Sequence, residues 1–227
     1  MKYLLSLSLV IFSLHILGNI DAYAASNRSA AQSVVRIVSF SSFSKDCSPQ
    51  KNNLLEHRNA FLGSGVTLDA SMLAQKSTSS VAIITASHVL KQDPLGICIF
   101  AISEGSQLPV ELSILLYDFR RDLAILEPKS TSGTDELLKS IRLISKNLIS
   151  VSPKSGDRTT LIGYPFTASA ATSYISTILD TKRDGTSLGF ARILIAGVSE
   201  QQVSTTSEYG MSGGGAFNAQ DQWTGLL

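Results

Sequence analysis

The sequence predicts an all-β protein whose strands form a sandwich or barrel arrangement in two lobes. Short segments rich in apolar and β-branched residues recur with turn residues between them, whereas long stretches of helical periodicity are scarce. A polar stretch over residues 128–157 separates an earlier group of these segments from a later one. No repeat with a period of about 20 to 50 residues is evident, which argues against a solenoid or a propeller.

The N-terminal residues 1–24 predict a secretory signal peptide. Lys2 supplies a positive start, residues 4–17 form a nearly unbroken apolar run, and the small-residue pattern AYA follows at 22–24. The alternative is an uncleaved membrane anchor, but the run is short of the roughly 20 residues that a spanning helix needs. We therefore expect a protein exported to the periplasm or the exterior, without membrane attachment after cleavage.

The rest of the chain divides into a leader and one folded domain. Residues 25–33 are expected to form the leader, and residues 34–227 the domain. Within the domain, the first lobe is predicted at about 34–127, the connector at about 128–157 and the second lobe at about 158–227.

Strands of the first lobe are predicted from short β-branched or buried apolar runs bounded by turn residues. The glycines in FLGSGVTL indicate a bend or bulge in the second of these strands. The predicted strands are 34–40, 61–68, 81–85, 97–102, 110–117 and 123–127.

The connector and the second lobe follow the same pattern less clearly. Residues 135–149 of the connector fit either a helix or a short strand. Strands of the second lobe are predicted at 159–163, 173–180, 188–196, 215–217 and 223–227.

Charge and composition exclude several classes of protein. The net charge is only +1, so nothing indicates binding to nucleic acid or another polyanion. After the signal peptide, the histidines and cysteines are limited to His57, His88, Cys47 and Cys98. Their spacing fits no zinc site. We therefore expect neither a metal nor another cofactor.

The two cysteines suggest a disulfide in an oxidising compartment. A Cys47–Cys98 bond would close a loop of about 50 residues, worth roughly 4 kcal/mol in the chain-entropy model. The alternative is a buried thiol at Cys98, within the apolar run ICIFA, and a loosely placed Cys47. Geometry decides between them, because a disulfide requires closely spaced and suitably oriented residues.

Three residues occupy positions from which chemistry could be performed. His88, in VAIITASHVL, directly follows a predicted buried strand, and Asp122, in RRDLAILEP, begins another. Ser212 lies among glycines in YGMSGGGAF. Taken singly, they are explained as an ordinary histidine, a strand-edge charge that discourages aggregation and a turn serine.

One mechanism explains all three residues together. A serine hydroxyl is a weak nucleophile and needs a base within hydrogen-bond reach. A neutral imidazole can take its proton, and a carboxylate can fix the imidazole tautomer. The glycines around Ser212 allow backbone N–H groups to converge on a developing oxyanion. The set His88, Asp122 and Ser212 therefore predicts acyl transfer.

The motifs around these residues resemble those of trypsin-like serine proteases. TASHV resembles their T-A-x-H-V/C histidine motif, DLAIL their aspartate strand and GMSGG their G-x-S-G-G nucleophile loop. Their order along the chain, His then Asp then Ser, is the chymotrypsin order and differs from that of subtilisin and the α/β-hydrolases. GSGVTLD and GYP resemble stretches of bacterial enzymes of the glutamyl-endopeptidase and HtrA kinds. The resemblance covers residues 34–227.

The resemblance implies two six-stranded β-barrels with the active site between them. It implies that Ser212 is the nucleophile, His88 the general base and then acid, and Asp122 the carboxylate that orients the histidine. The backbone N–H groups of Gly210 and Ser212 would form the oxyanion hole. Asp118 is a competitor for the role of Asp122, although it precedes a polar stretch rather than an apolar strand.

The chain departs from the family pattern in front of the nucleophile. Many animal members have an aspartate there that pairs with a newly cut amino terminus, whereas this chain has Met211, so activation by that ion pair is excluded. The primary-specificity pocket is expected just upstream. Its candidate residues are Thr206, Ser207, Glu208 and Tyr209. Because Thr206 is neutral and the orientation of Glu208 is not fixed by sequence, substrate preference stays open.

A second departure lies at the C-terminal end. After the nucleophile the chain runs SGGGAFNAQDQWTGLL and stops at Leu227, where family members normally continue with another strand and a helix. We therefore expect a fragment of a longer gene product, with the second barrel C-terminally truncated and one edge unclosed. The alternative is a domain that is incomplete as made.

The leading hypothesis is a secreted serine endopeptidase that is a monomer and acts on protein or peptide substrates. One alternative is a catalytically silent binding module with the same fold. Another is a quality-control protease of the HtrA kind whose C-terminal domain is missing from this sequence.

Overall fold

The computed structural model describes residues 29–41, 47, 60–73, 77–90, 97–106, 108–149, 154–180, 192–195, 199–203, 205 and 207–227. The predicted signal peptide and residues 25–28 of the predicted leader lie outside these residues. Within the described part, no helix is long and apolar enough to cross a bilayer.

The first six strands form a closed antiparallel barrel in the order β1-β2-β3-β6-β5-β4. The interior of this barrel is filled by buried apolar side chains of these strands, such as Ile37, Ile83, Leu112 and Leu126. Each strand lies within one or two residues of its prediction. The bounds are β1 Val34–Ser41, β2 Phe61–Asp69, β3 Val81–Thr85, β4 Ile97–Ile102, β5 Val110–Asp118 and β6 Leu123–Pro128.

A second closed barrel has the order β10-β8-β7-β11-β12-β9. The expectation of an all-β protein with two six-stranded barrels is therefore confirmed. One strand, β10, was not predicted, because its sequence SEQQV has a single strongly apolar residue. The bounds are β7 Arg158–Gly163, β8 Thr172–Asp180, β9 Arg192–Ile195, β10 Ser199–Val203, β11 Gly215–Phe217 and β12 Trp223–Leu226.

The expectation of an unclosed edge in the second barrel was wrong. The last strand, β12, pairs with β11 on one side and with β9 on the other, through Leu226 and Leu194. Strand β9 then pairs with β10, and β10 with β8. The unpredicted strand β10 supplies the missing neighbour, so six strands suffice to close the barrel.

Among the described residues of the connector, the helix α1 (Thr131–Leu138) starts before the predicted region 135–149, and a 3₁₀ turn over Lys146–Leu148 lies within that region. Ser130 caps α1 by accepting a hydrogen bond from the Gly133 N–H, as N-terminal serines commonly do. Two isolated parallel bridges, Leu68 with Ile144 and Ile149 with Trp223, then fasten the connector to both barrels.

An apolar layer joins the two barrels. Val66 and Ile84 of the first barrel share a buried cluster with Ile162, Phe217 and Trp223 of the second. Because this cluster removes apolar side chains of both barrels from water, it favours one fixed arrangement of the barrels. Residues of the two barrels that lie at the edge of this layer therefore keep fixed positions relative to one another.

A disulfide joins Cys47 to Cys98 of β4. Cys98 is fully buried beside Val38, Phe40 and Phe100, and the two phenylalanine rings stack at 5.9 Å between centroids. The bond therefore ties residue 47 to the wall of the first barrel.

Replacing Cys47 and Cys98 together with serine is expected to lower the free energy of unfolding by about 4 kcal/mol. The reason is that the bond spans 51 residues and restricts the unfolded chain. Urea unfolding would measure the loss. Dithiothreitol should destabilise the wild type and leave the double variant unchanged, whereas a loss below about 1 kcal/mol would contradict the chain-entropy account.

Candidate active site

The register between β3 and β6 brings His88 and Asp122 to the same end of the first barrel. Thr85, the last residue of β3, pairs with Ala124 of β6. A 3₁₀ turn over Ser87–Val89 follows β3, and Asp122 occupies the turn that precedes β6. The pairing of β3 with β6 therefore brings together His88 and Asp122, which are 34 residues apart in the sequence.

The carboxylate of Asp122 accepts three hydrogen bonds from this turn. His88 Nδ1 lies 2.6 Å from Oδ2, and the His88 backbone N–H and the Ser87 hydroxyl each donate to Oδ1 at 2.9 Å. Asp122 has a φ of 53°, a left-handed conformation that aspartate and asparagine tolerate better than most residues. The turn thus fixes both oxygens of the carboxylate.

These contacts shift the pKa of both partners. Burial is the largest single effect on Asp122 and would raise its pKa, but the hydrogen bonds from His88 and Ser87 outweigh it and lower that pKa to about 2. The hydrogen bond to Asp122 is the largest effect on His88 and raises the pKa of the ring above 6.5, against an opposing desolvation. An ionised carboxylate beside Nδ1 holds the neutral ring as the Nδ1–H tautomer, which leaves Nε2 free to accept a proton.

The turn that carries Ser212 needs glycine on both sides. Gly210 has a φ of 95° and Gly213 a φ of 84°, a region that residues with a side chain rarely adopt. A Cβ at Gly213 would lie 2.2 Å from Ser64 O and 2.3 Å from Thr85 Oγ1. The turn therefore packs directly against the end of β3, three residues before His88.

Ser64, fully buried on β2, fastens this turn to the first barrel. Its N–H donates to Ser212 O at 2.8 Å, and its hydroxyl donates to Gly210 O at 2.9 Å. The hydroxyl also accepts the Tyr164 N–H, and Ser64 O accepts from Thr85 Oγ1. One residue thus joins the serine turn, the end of β3 and the loop after β7. Sequence reasoning missed Ser64, although a serine between the two glycines of GSGV was a visible signal.

Two backbone donors of the serine turn have no acceptor among the described residues. Met211 N–H donates to Glu208 O and Gly213 N–H to Leu227 O, whereas the N–H groups of Gly210 and Ser212 donate to no described group. Free N–H groups on either side of Met211 are the kind of donors that can hold an oxyanion.

The Ser212 hydroxyl forms no hydrogen bond with the described residues, so the structure does not join it directly to the His88 ring. The structure does bring His88 and Asp122 together, and it places the serine turn against the end of β3, which leads to His88. In ligand-free enzymes such nucleophile–base hydrogen bonds are often long and shorten when substrate binds.

The residues predicted to form the specificity pocket are largely exposed. Ser207, Glu208 and Tyr209 lie on the surface, and the side chain of Tyr209 is 92% exposed. The carboxylate of Glu208 accepts a hydrogen bond from the Tyr174 hydroxyl of β8, a contact that raises the pKa of Tyr174. Thr206 lies outside the described residues.

Asp118 is engaged elsewhere. Its carboxylate accepts the backbone N–H groups of Arg120 and Arg121 and forms an ion pair with the Arg121 guanidinium at 3.3 Å. It caps the turn that leads to Asp122 and makes no described contact with His88. His57, which matches none of the motifs and was taken as structural, lies outside the described residues. Among the described residues no group of three or more side chains is placed to hold a metal ion.

Comparisons with known proteins agree with this architecture. The chain resembles a serine endoprotease from Yersinia pestis, with 21% identity, 90% of this chain and 56% of that chain covered, and a TM-score of 0.58. It also resembles the active form of the Rv3671c protease from M. tuberculosis, with 18% identity, 87% and 70% coverage, and a TM-score of 0.56. At these identities the likeness shows the fold alone. No curated protein matches the chain.

The family assignment comes from the sequence itself. A model of the trypsin-like peptidase domain matches residues 63–226, which is more than half of the chain. The match includes the end of β3, the turn before β6 and the serine turn. This chain therefore belongs to the trypsin-like peptidase domain family.

Proposed function

We propose that this protein is a serine endopeptidase with Ser212, His88 and Asp122 as its catalytic residues. The observation that carries the proposal is the short Asp122–His88 contact at the strand end against which the serine turn packs. This arrangement supplies a base of fixed tautomer at the strand end next to the serine turn, and the N–H groups of Gly210 and Ser212, which donate to no described residue, supply an oxyanion hole.

The proposed reaction proceeds through an acyl-enzyme. Ser212 Oγ attacks the peptide carbonyl carbon while its proton passes to His88 Nε2, and the carbonyl oxygen becomes an oxyanion on the two N–H groups. The C–N bond then breaks, and His88 returns the proton to the leaving amine. Water attacks the acyl group with His88 again as base, which releases the acid and restores Ser212. Asp122 stays ionised and stabilises the imidazolium.

The proposal extends to where the enzyme acts and on what. The predicted signal peptide and the Cys47–Cys98 bond support a secreted or periplasmic protein, since disulfides persist in oxidising compartments. Protein or peptide substrates follow from the family. The chain spans 56% of the Yersinia pestis protein it resembles, so substrates and partners of a whole protein remain part of the proposal.

Labelling with a fluorophosphonate probe tests the proposal. The probe phosphorylates an activated serine and releases fluoride, and mass spectrometry of the digested protein locates the adduct. We expect one adduct, on Ser212, in the folded protein and none after denaturation in urea. A folded protein that takes no label, or takes it on another serine, would overturn the proposal; the unlabelled result would favour the catalytically silent binding module.

The labelling rate should increase with pH along a single titration whose midpoint lies above 6.5. The hydrogen bond to Asp122 raises the pKa of His88, and only the neutral imidazole can accept the Ser212 proton. Protonation as the pH falls through that raised pKa therefore removes the base. Inactivation rates measured between pH 5 and pH 9 check this, and a midpoint at or below 6.5 would contradict it.

A further inference from the structure

Arg36 is a buried cation on β1 of the first barrel, between the apolar residues Val35 and Ile37. Its side chain is 5% exposed on β1. A guanidinium in such a place must have its donors satisfied, because desolvation of a charge is costly. Its described partners are all neutral: the carbonyl of Pro165 at 3.4 Å, the carbonyl of Ala168, and the ring of Tyr164 at 5.1 Å from the centroid. Arg36 therefore crosses from the first barrel to hold the loop 164–168 of the second.

That loop lies directly against the serine turn. The Phe166 N–H donates to Tyr209 O at 2.7 Å. A Cβ on Gly210 would lie 2.5 Å from Tyr164 O and 2.8 Å from Phe166 N, so the two backbones touch. Movement of the loop would consequently reach the peptide bond between Tyr209 and Gly210.

The direction of this peptide bond decides where the Gly210 N–H points. In a trans peptide the C=O and the following N–H lie in one plane and point in opposite directions. The Phe166 N–H holds the Tyr209 carbonyl on the side of the loop, so the Gly210 N–H faces the opposite side, where no described residue accepts it. Gly210, at a φ of 95°, has no side chain that would keep the peptide from rotating once this hydrogen bond is lost.

We propose that Arg36 is a positioning residue for the oxyanion hole, acting through the loop 164–168 and the Phe166–Tyr209 hydrogen bond on the Gly210 N–H. The inference rests on the proposed function and adds a residue of the other barrel to its machinery. Arg36 touches neither substrate nor the reacting atoms. The orientation of the Gly210 N–H would thus depend on a contact between the two barrels.

Kinetics of fluorophosphonate inactivation test the catalytic half of this inference. Arg36→Met, a substitution of similar length, should lower the maximal inactivation rate about 100-fold, as for a displacement of about 1 Å in a catalytic group. The concentration for half-maximal rate and the pH midpoint should stay at the wild-type values, because the His88–Asp122 pair is untouched. Arg36→Lys keeps the charge but loses the planar contact with Tyr164, so it should recover part of the rate.

Thr67→Val is the matched control for lost buried hydrogen bonds. Thr67 is fully buried on β2 and donates to the carbonyls of Ser33 and Arg142, away from the serine turn. This variant should lose stability and keep the wild-type maximal inactivation rate. An equal loss of rate in Thr67→Val and Arg36→Met would reduce Arg36 to a structural role and overturn the inference.

Amide hydrogen exchange tests the structural half without any activity. In Arg36→Met, exchange at the Phe166 N–H should accelerate at least about tenfold as its bond to Tyr209 O opens more often. The Ile144 N–H, bonded to Thr67 O at 2.9 Å, should not change. Unchanged exchange at Phe166 in folded Arg36→Met would overturn the inference whatever the activity. A wild type that takes no label would instead overturn the proposed function, and exchange would still show whether Arg36 holds the peptide.

Discussion

Replacing Ser212 with alanine is expected to lower kcat for hydrolysis of fluorescein-labelled casein about 10⁶-fold. Without the hydroxyl no acyl-enzyme forms, and only uncatalysed attack by water on a bound, polarised carbonyl remains. The fold should be unaffected, because the hydroxyl makes no hydrogen bond with the described residues and Met211 beside it stays buried. The melting temperature should therefore equal that of the wild type.

Ser132→Ala provides a control for the loss of a serine hydroxyl. Ser132 lies in α1, on the connector, where its hydroxyl contacts Ser130. This variant should keep full activity towards casein. If folded Ser212→Ala retained more than about 1% of the wild-type kcat, attack by this serine could not be the route, since loss of the nucleophile costs several powers of ten.

Replacing Asp122 with asparagine is expected to lower kcat about 10⁴-fold. The amide oxygen can take the place of Oδ1 and still accept from Ser87 and from the His88 backbone. The amide nitrogen then faces Nδ1 in place of Oδ2. Because that nitrogen only donates, Nδ1 must become the acceptor and Nε2 must carry the proton, so the ring can no longer accept one from Ser212. Casein hydrolysis measures the loss.

Asp122→Asn should stay folded, since asparagine also tolerates the left-handed φ of 53° at this position. Its loss of stability should be limited to the charge-assisted part of the hydrogen bonds from His88 and Ser87. Asp118→Asn is the matched control. Asp118 caps the preceding turn through Arg120 and Arg121, so this variant should keep kcat within about threefold of the wild type, as surface substitutions usually do. A larger loss of kcat in Asp118→Asn than in Asp122→Asn would reverse the two assignments.

Local patterns allowed most of the strands to be predicted. β-branched runs between turn residues located the six strands of the first barrel within one or two residues, since strand residues alternate faces whatever their partners are. The polar strand β10 was missed because its register with β8 and β9, and not its composition, makes it a strand. The helix α1 starts at Thr131 because Ser130 caps it, a signal outside the region 135–149 that was considered.

The sequence motifs predicted the three candidate catalytic residues but not the residue that holds the serine turn in place. TASHV, DLAIL and GMSGG indicated His88, Asp122 and Ser212. In the structure His88 Nδ1 lies 2.6 Å from Asp122 Oδ2. These three motifs do not include Ser64, and the GSGV stretch that contains it did not indicate that Ser64 ties the serine turn to the first barrel. Its side chain matters only because β2 passes beside that turn, a contact across 146 residues of sequence.

From the sequence alone the all-β class, the positions of most strands and the three residues most suited to acyl transfer could be predicted. These depend on side-chain chemistry and on short-range backbone preferences, which neighbouring residues decide. The three-dimensional structure was needed to show that the second barrel closes through β9 and β12, that Asp118 belongs to a turn, and that Arg36 reaches the loop beside Gly210. Those outcomes depend on contacts between residues far apart in the chain, which are fixed by packing and by the need of every buried polar group for a partner.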